Sequence, residues 1–166
     1  MKFKSLFFFT ITFIVFLGAP TLAQQSMPNV NIKTLEGKSV NIQSLVGKGH
    51  PVLVTFWATW CTPCKKEMDA INEVYEDWKE DYGVEVIAIT IDNIRALSKV
   101  KPMVAQKGWE FQVLSDSKQT LQTALNFQTI PQSFLIDGKG HIVYSHNGYA
   151  PGDEYNMEDE IKKLKG

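Results

Sequence analysis

Both cysteines of this 166-residue chain lie in one short segment, TFWATWCTPCKKE, where two residues separate Cys61 from Cys64. Two thiols at this spacing can form and break a disulfide, which is the chemistry of thiol–disulfide exchange. The preceding run, Pro51 to Trp57, is apolar, β-branched and aromatic, so it predicts a buried strand. Cys61 then falls where a helix begins, and the unpaired N–H groups at a helix start stabilise a thiolate. The sequence therefore predicts Cys61 as the nucleophile and Cys64 as the resolving thiol.

The residues after the motif form an apolar stripe at three- and four-residue spacing, which predicts a helix packed on the sheet. Its members are Met68, Ile71, Val74, Tyr75, Trp78 and Tyr82. Glu67 follows Cys64 by three residues, so its carboxyl is predicted to point toward the resolving sulfur. A desolvated carboxylic acid there has a raised pKa and can shuttle a proton to or from Cys64. The alternative is a solvated helix glutamate that interacts with Lys66 and its neighbours.

The sequence W-C-x-P-C-K-K-E, which follows a V-T-F-W-A-T strand, resembles the TlpA/ResA-like branch of the thioredoxin superfamily. Members of that branch are extracytoplasmic thiol-disulfide oxidoreductases of bacteria. The similarity continues through VEVIAITID, IPQSFLID and GHIV and covers nearly all of the chain after its first residues. It implies an α/β thioredoxin-like fold with a central mixed sheet flanked by helices. It also implies an N-terminal β-hairpin and an insertion between the C-x-x-C helix and a cis-proline loop.

Hydrophobic periodicity and turn residues predict the same order of elements. The predicted strands are 29–32, 38–42, 51–57, 84–91, 111–114, 133–136 and 141–145, and the predicted helices are 62–82, 98–107, 117–124 and 153–164. Gly83 is expected to cap the first helix, and Pro102 fits only near the first turn of the second. Strand–helix alternation followed by a hairpin and a closing helix is typical of the thioredoxin-like order.

The resemblance adds further site residues. The Ile130–Pro131 bond is expected to be cis and to lie against the disulfide, so that the backbone of Ile130 can pair with an extended peptide substrate. The alternative is a trans proline that merely begins a strand. Trp60, beside the sulfurs at the surface, and Thr62 and Pro63, between the cysteines, complete the predicted substrate-binding set.

Two positions depart from the family pattern. Thioredoxins often have a buried acid at the strand position that Thr55 occupies here, which leaves Glu67 as the only acid well placed by sequence. The family often has threonine after the cis-proline, whereas this chain has Gln132, a larger polar group expected at the rim of the site. Substrate preference is therefore the property that transfers least from the family.

The residues near the cysteines indicate the direction of electron flow. Strong oxidants of this fold stabilise their reduced thiolate heavily, often with a histidine between the sulfurs. Thr62 and Pro63 carry no charge, and Lys65 and Lys66 are expected to be solvated and screened. The couple is therefore expected nearer to thioredoxin than to a dedicated oxidase, and the protein is expected to reduce disulfides of protein substrates. Such proteins often serve cytochrome c maturation or other envelope thiol tasks.

The first residues have the layout of a secretory signal peptide. Two lysines precede the apolar run 6–17, and small residues lead to a cleavage site after Ala23. We therefore predict a signal peptide over 1–23 and one thioredoxin-like domain over 24–166, in the periplasm or another extracytoplasmic space. The apolar run is shorter than the ~20 residues of a membrane-spanning helix, and an uncleaved N-terminal anchor is the alternative. Because an oxidising compartment continually consumes a reductase, a membrane thiol-electron donor is an expected partner.

Composition indicates one domain and excludes some partners. Without the leader the chain has enough residues for a single substantial core. Removal of Lys2 and Lys4 leaves 15 basic residues against 18 acidic ones, a net charge near minus three, and no basic cluster indicates nucleic acid. His50, His141 and His146 form no ligand pattern, so neither a metal nor another cofactor is expected. A monomer is expected.

Two other functions stay open from the residues alone. A peroxiredoxin-like peroxidase on a related fold prefers threonine three residues before its reactive cysteine. This chain has Ala58 at that position and Thr59 one residue later, and turnover of peroxide is the discriminating assay. A copper metallochaperone of similar fold would instead bind copper tightly and show no disulfide exchange.

Overall fold

The computed structural model describes residues 25–165, so the predicted signal peptide lies outside the described residues. Within that range, no helix has both the length and the apolar character needed to cross a membrane. The strands are β1 (Asn31–Thr34), β2 (Ser39–Asn41), β3 (Val52–Trp57), β4 (Glu85–Thr90), β5 (Gln112–Ser115), β6 (Gln132–Ile136) and β7 (Ile142–Asn147). The helices are α1 (Thr62–Tyr82), α2 (Val100–Lys107), α3 (Thr120–Ala124) and α4 (Asp153–Lys162), with single 3-10 turns at Ile42–Leu45 and Leu97–Lys99.

Across residues 25–165, seven strands form one mixed sheet in the order β2-β1-β5-β4-β3-β6-β7. Strands β3, β4 and β5 are parallel, and the other neighbouring pairs are antiparallel. This sheet confirms the predicted thioredoxin-like fold, including the N-terminal hairpin. The carboxyl ends of the three parallel strands meet at one edge, which is where the C-x-x-C segment leaves β3. Ligand and catalytic groups of α/β sheets gather at such an edge.

The central strand β3 is buried along its whole length. On one face, the rings of Trp57 and Trp109 meet edge to face with their centroids 5.1 Å apart. On the other face, Phe56 packs on Phe127 with a centroid distance of 4.6 Å. Because both faces of the sheet are covered, the strand sequence is continuously apolar and does not alternate with polar residues. That continuous apolar pattern is why the sequence locates this strand well.

The ends of α1 are set by local residue chemistry, as the sequence predicts. Cys61 is the N-cap, and Pro63 lies in the first turn, where its missing N–H leaves no carbonyl unpaired. Gly83 ends the helix in the left-handed region at φ 65°. Glycine suits this position because it has no Cβ to clash there.

Helix α3 is shorter than the predicted span of 117–124, because Asp116 fixes its start. The buried Asp116 carboxylate accepts three backbone N–H groups from the first residues of α3 at 2.9 to 3.0 Å. Gln119 adopts a left-handed conformation at φ 55°, which lies outside the helical region. The prediction for α2 is closer to the structure. The helix begins two residues after the predicted start, because a 3-10 turn precedes it, and Pro102 lies in its first turn as expected.

The turn between β6 and β7 packs against the loop before β3. The Gly49 N–H donates to the Gly138 carbonyl at 2.9 Å, and a Cβ added at Gly138 would lie 2.9 Å from the Gly49 carbonyl carbon. We therefore expect Gly138→Ala to lower the free energy of unfolding by about 1–3 kcal/mol, because neither backbone can rotate away. Urea unfolding measures this, with the exposed neighbour variant Lys139→Ala as the control, expected within about 0.5 kcal/mol of the parent. Equal stability of the two variants would contradict the close packing.

Candidate active site

The two sulfurs lie at the start of α1 and are joined in a disulfide. The Cys64 backbone N–H donates to Cys61 Sγ at 3.2 Å, so the sulfur of the N-cap residue takes the place that a serine or aspartate oxygen often fills. The Cys61 N–H donates in turn to the Ala58 carbonyl at 3.0 Å. A first-turn N–H aimed at Cys61 Sγ favours negative charge on that sulfur once the disulfide is reduced.

The two cysteines differ in exposure. Cys64 is fully buried, whereas Cys61 keeps 5% of its surface exposed. Trp60 is 67% exposed, and Thr62 and Pro63 are exposed as well. Of the two cysteines, Cys61 is therefore the one with any surface open to solvent, and three exposed residues lie near it in the chain.

Asp92, which follows β4, holds the loop that carries the cysteines. Its carboxylate accepts the Thr59 N–H and the Thr59 hydroxyl, each at 2.8 Å, and the Thr90 hydroxyl at 2.7 Å. The side chain is fully buried. Sequence reasoning missed this residue, although a signal existed: the carboxyl ends of the parallel strands β3 and β4 must meet, so a polar residue after β4 lies beside the loop after β3.

Glu67 lies inside the protein, one turn after Cys64, and is 1% exposed. Its two oxygens accept hydroxyl groups from neighbouring strands, Thr55 Oγ1 at 2.8 Å and Ser133 Oγ at 3.1 Å. Thr55 and Ser133 are register partners on β3 and β6, so both hydroxyls point to the same face. Within the described residues, these hydrogen bonds go to the strands and none goes to either sulfur. Glu67 is therefore not a solvated helix glutamate, and its hydroxyl partners are new. That its carboxyl points toward the resolving sulfur stays a prediction.

Burial raises the pKa of Glu67 from its ordinary value of 4.5 to about 7, and the hydrogen bonds from Thr55 and Ser133 offset only part of the rise. The negative charge of Asp153 raises it further. Asp153 begins α4, and its Oδ2 lies 3.0 Å from His146 Nε2. His146 is the register partner of Ser133 on β7, so the polar groups on this face continue from Glu67 toward the sheet edge.

The loop before β6 brings a backbone carbonyl to the reactive sulfur. The Ile130–Pro131 bond is cis, as the resemblance implies, and the Ile130 carbonyl oxygen lies 3.9 Å from Cys61 Sγ. This contact is not a hydrogen bond here, because a disulfide sulfur carries no proton. Pro131 is buried and Ile130 is half-buried.

The expectation for Gln132 is wrong. Its side chain is buried in β6 and not at the rim of the site. The amide Nε2 donates to the carbonyl of His146 at 3.0 Å and to that of Ser133 at 3.2 Å. Gln132 therefore cross-links β6 to β7, and the residue after the cis-proline has a structural contact that its polarity alone does not reveal.

The residues around the cysteines bear on the alternative functions. The Thr59 hydroxyl donates to Asp92, and Ala58, three residues before Cys61, has no hydroxyl to offer a peroxide. Over residues 25–165, no three His, Cys, Asp or Glu side chains come close enough together to hold a metal ion. The peroxidase alternative therefore lacks a hydroxyl at the position where that chemistry prefers a threonine. Copper binding by the reduced dithiol tests the metallochaperone alternative.

A dithiol motif that caps a helix beside a cis-proline loop, on a mixed sheet with parallel central strands, defines a thiol-disulfide oxidoreductase of the thioredoxin fold. The chain belongs to the AhpC/TSA family, whose model matches residues 23–145.

Individual relatives agree with this class. The chain is 39% identical over 137 residues to the thiol-disulfide oxidoreductase ResA of Bacillus thuringiensis (strain Al Hakam), covering 82% of this chain and 75% of that one. It is 32% identical over 136 residues to ResA of Bacillus subtilis (strain 168), covering 81% and 73%. The solved structure of a thioredoxin-like protein from Porphyromonas gingivalis is 41% identical, with a TM-score of 0.74 and coverage of 85% and 93%. The ResA-like resemblance is thereby confirmed.

The raised pKa of Glu67 links its ionisation to stability. Between pH 4.5 and about 7 the folded protein keeps the Glu67 proton and the unfolded chain does not. The contribution of Glu67 to the free energy of unfolding is therefore fully present below pH 4.5 and is lost as the pH rises through about 7. At about 1.4 kcal/mol per pH unit the loss is roughly 3 kcal/mol. We expect urea unfolding to show that the parent loses this much more stability than Glu67→Gln between pH 4.5 and 8.

The matched control for that measurement is Glu73→Gln, an exposed glutamate on the same helix. Its unfolding free energy should follow the parent at every pH. Parallel pH curves for the parent and Glu67→Gln would show that the buried carboxyl does not titrate in this range.

Proposed function

We propose that the protein is an extracytoplasmic thiol-disulfide reductase that reduces disulfides in protein substrates through Cys61 and Cys64. The observation that carries this proposal is the difference between the two sulfurs: Cys61 keeps 5% of its surface exposed and accepts a backbone N–H, whereas Cys64 is fully buried. Two-step exchange needs this arrangement, because the substrate must reach the nucleophile first and the resolving thiol must be protected from it.

In the reduced protein, the Cys61 thiolate attacks one sulfur of the substrate disulfide. A mixed disulfide forms, and the other substrate sulfur leaves as a thiolate. The Cys64 thiolate then attacks Cys61 Sγ, which closes the intramolecular disulfide seen in the structure and releases the second substrate thiolate. Two electrons pass to the substrate, and its two thiolates take up two protons that the protein thiols have given up.

Glu67 is proposed to take the proton from Cys64 in the second step. It follows Cys64 by three residues on α1, so helix geometry places the two side chains on one face. Because its pKa is about 7, both the acid and the carboxylate are present near neutral pH. A proton carrier needs both forms at the working pH.

The proposed substrate surface consists of Trp60, Thr62, Pro63 and the Ile130–Pro131 segment. The first three are exposed around Cys61. The Ile130 carbonyl, 3.9 Å from Cys61 Sγ, is placed to accept a backbone N–H from an extended substrate segment. Such added-strand pairing holds the substrate by its backbone and tolerates varied side chains.

The cellular setting is also a proposal. A signal peptide over 1–23, with the alternative of an uncleaved anchor, would place the domain over 24–166 outside the cytoplasm. The domain is proposed to act there as a monomer. A membrane thiol-electron donor would re-reduce the Cys61–Cys64 disulfide there. The family resemblance suggests apocytochrome c, whose haem-binding cysteines must stay reduced, as a substrate, with other envelope thiols as further candidates.

The reduction potential of the Cys61/Cys64 couple tests the direction of electron flow. We expect a value near that of thioredoxin, roughly −270 mV, since no charged residue lies between the cysteines to stabilise the reduced form strongly. Equilibration with dithiothreitol or glutathione mixtures measures it. A value near −120 mV, as in strongly oxidising members of the fold, would make the protein a disulfide donor instead.

The pH dependence of the second step tests Glu67. We expect resolution of a preformed mixed disulfide on Cys61 to accelerate as the pH rises through about 7, when the carboxyl becomes able to accept a proton. In Glu67→Gln this step should slow by about 100-fold and lose that titration. Rapid-mixing kinetics in the parent, Glu67→Gln and the control Glu73→Gln provide the comparison. An unchanged profile in Glu67→Gln would exclude the proton-transfer role.

A further inference from the structure

A cavity of about 190 Å³ opens beside the carboxyl ends of β4 and β5, away from the contacts described above. Its apolar lining consists of Leu35, Ile94 and Leu97. Ile94 is 76% exposed, more than any other large hydrophobic side chain within residues 25–165. Small-molecule sites are typically about 300 to 1,000 Å³, so this cavity suits a single apolar side chain better than a cofactor.

Three lysines, Lys33, Lys101 and Lys118, surround the apolar lining. Lys118 has no ion pair or side-chain hydrogen bond within residues 25–165. Lys101 lies 3.3 Å from Glu36, but both side chains are exposed, so the pair neutralises little. Lys33 donates to a backbone carbonyl and keeps its charge. The cavity is therefore locally positive on a chain whose formal net charge is −1.

Ser115 also contributes to the wall of the cavity. Ser115 is 2% exposed, and its Oγ has no hydrogen-bond partner within the described residues. The next carboxylate, Asp116, is occupied by the N–H groups of α3 and does not bond to Ser115 Oγ. Ser115 and Asp116 are both buried, so the accessible charges at the cavity are those of the three lysines. The lysines favour a ligand with negative charge, which a carboxylate provides.

The backbone register places this cavity on the same sheet edge as the cysteines. Trp57 of β3 aligns with Thr90, Thr90 with Ser115, and Ser115 with Lys33 of β1. At about 4.8 Å per strand, Lys33 lies about 14 Å across the sheet from the end of β3. An extended chain advances about 3.3 Å per residue, so about four to six residues span the distance from Cys61 to the cavity.

We propose that the cavity binds an acidic residue next to an aliphatic residue of the protein substrate, about four to six residues from the cysteine that Cys61 attacks. This proposal rests on the reductase function above and adds a substrate preference to it. The aliphatic side chain enters the space between Leu35, Ile94 and Leu97. The adjacent carboxylate faces the lysines.

The test uses the reduced protein and three synthetic peptides, each with one cysteine held as a mixed disulfide with 2-nitro-5-thiobenzoate. One peptide has a glutamate–leucine pair five residues from the cysteine, the second has lysine–leucine at that place, and the third has glutamate–leucine next to the cysteine. We expect the first to react about fivefold faster than the other two at low salt. The advantage should shrink in 0.5 M NaCl, because added salt screens charge attraction.

Variants of the cavity lysines supply the reciprocal test. Lys118→Glu combined with Lys101→Glu should reverse the preference, so that the lysine–leucine peptide reacts faster than the glutamate–leucine one. Lys48→Glu is the control for position, a single exposed charge reversal four residues before β3, at the opposite edge of the sheet. It should keep the parent preference.

Reduction of 2-hydroxyethyl disulfide, which is small and uncharged, reports on the dithiol alone. It should proceed equally in the parent and in all lysine variants. Failure of this reaction in the parent would count against the reductase function itself. Normal reduction of the small disulfide, together with equal rates for the three peptides or equal losses in the cavity variant and Lys48→Glu, would overturn the cavity proposal alone.

Discussion

The arrangement of this site depends on one carboxyl group that is enclosed by the protein. Glu67 has no cation partner within residues 25–165, and its burial favours the protonated form up to about pH 7. Its oxygens are satisfied by the hydroxyls of Thr55 and Ser133, so a single side chain connects α1 to two neighbouring strands. Because an unsatisfied carboxyl would be costly in this interior, these three residues also fix how α1 rests on the sheet.

A second buried carboxylate fixes the loop before the helix. Asp92 accepts three hydrogen bonds from the ends of β3 and β4, so the segment between Trp57 and Cys61 is held from the neighbouring strand. Cys61 then has a defined position at the sheet edge, where the Ile130 carbonyl approaches it from the other side. The two acids thus act on different parts of the motif: Asp92 places the accessible sulfur, and Glu67 lies behind the buried one.

Local signals in the sequence are sufficient for β3, α1 and the cysteine pair, and long-range contacts account for what they miss. The apolar run before the motif, the N-terminal proline and the capping glycine each act within a few residues, so their effect is readable along the chain. Ser133 and Asp92 become site residues only through strand register and parallel pairing over distances of more than thirty residues. The rim position expected for Gln132 is wrong for the same reason, since only the β6–β7 pairing shows where its amide bonds.

The position of the acid has a consequence for how the dithiol works. In thioredoxins a buried acid often comes from the strand, at the position of Thr55, whereas here Thr55 supplies a hydroxyl and the acid comes from the helix. Because Glu67 and Cys64 belong to the same helix, one turn apart, their separation is set by helix geometry and does not depend on how α1 packs on the sheet. In the mechanism proposed above, a small movement of Cys61 and the loop during substrate attack would therefore leave the spacing of Glu67 and Cys64 along the helix unchanged. That mechanism puts the exchange of the substrate disulfide at the surface and the proton transfer inside, with α1 connecting the two.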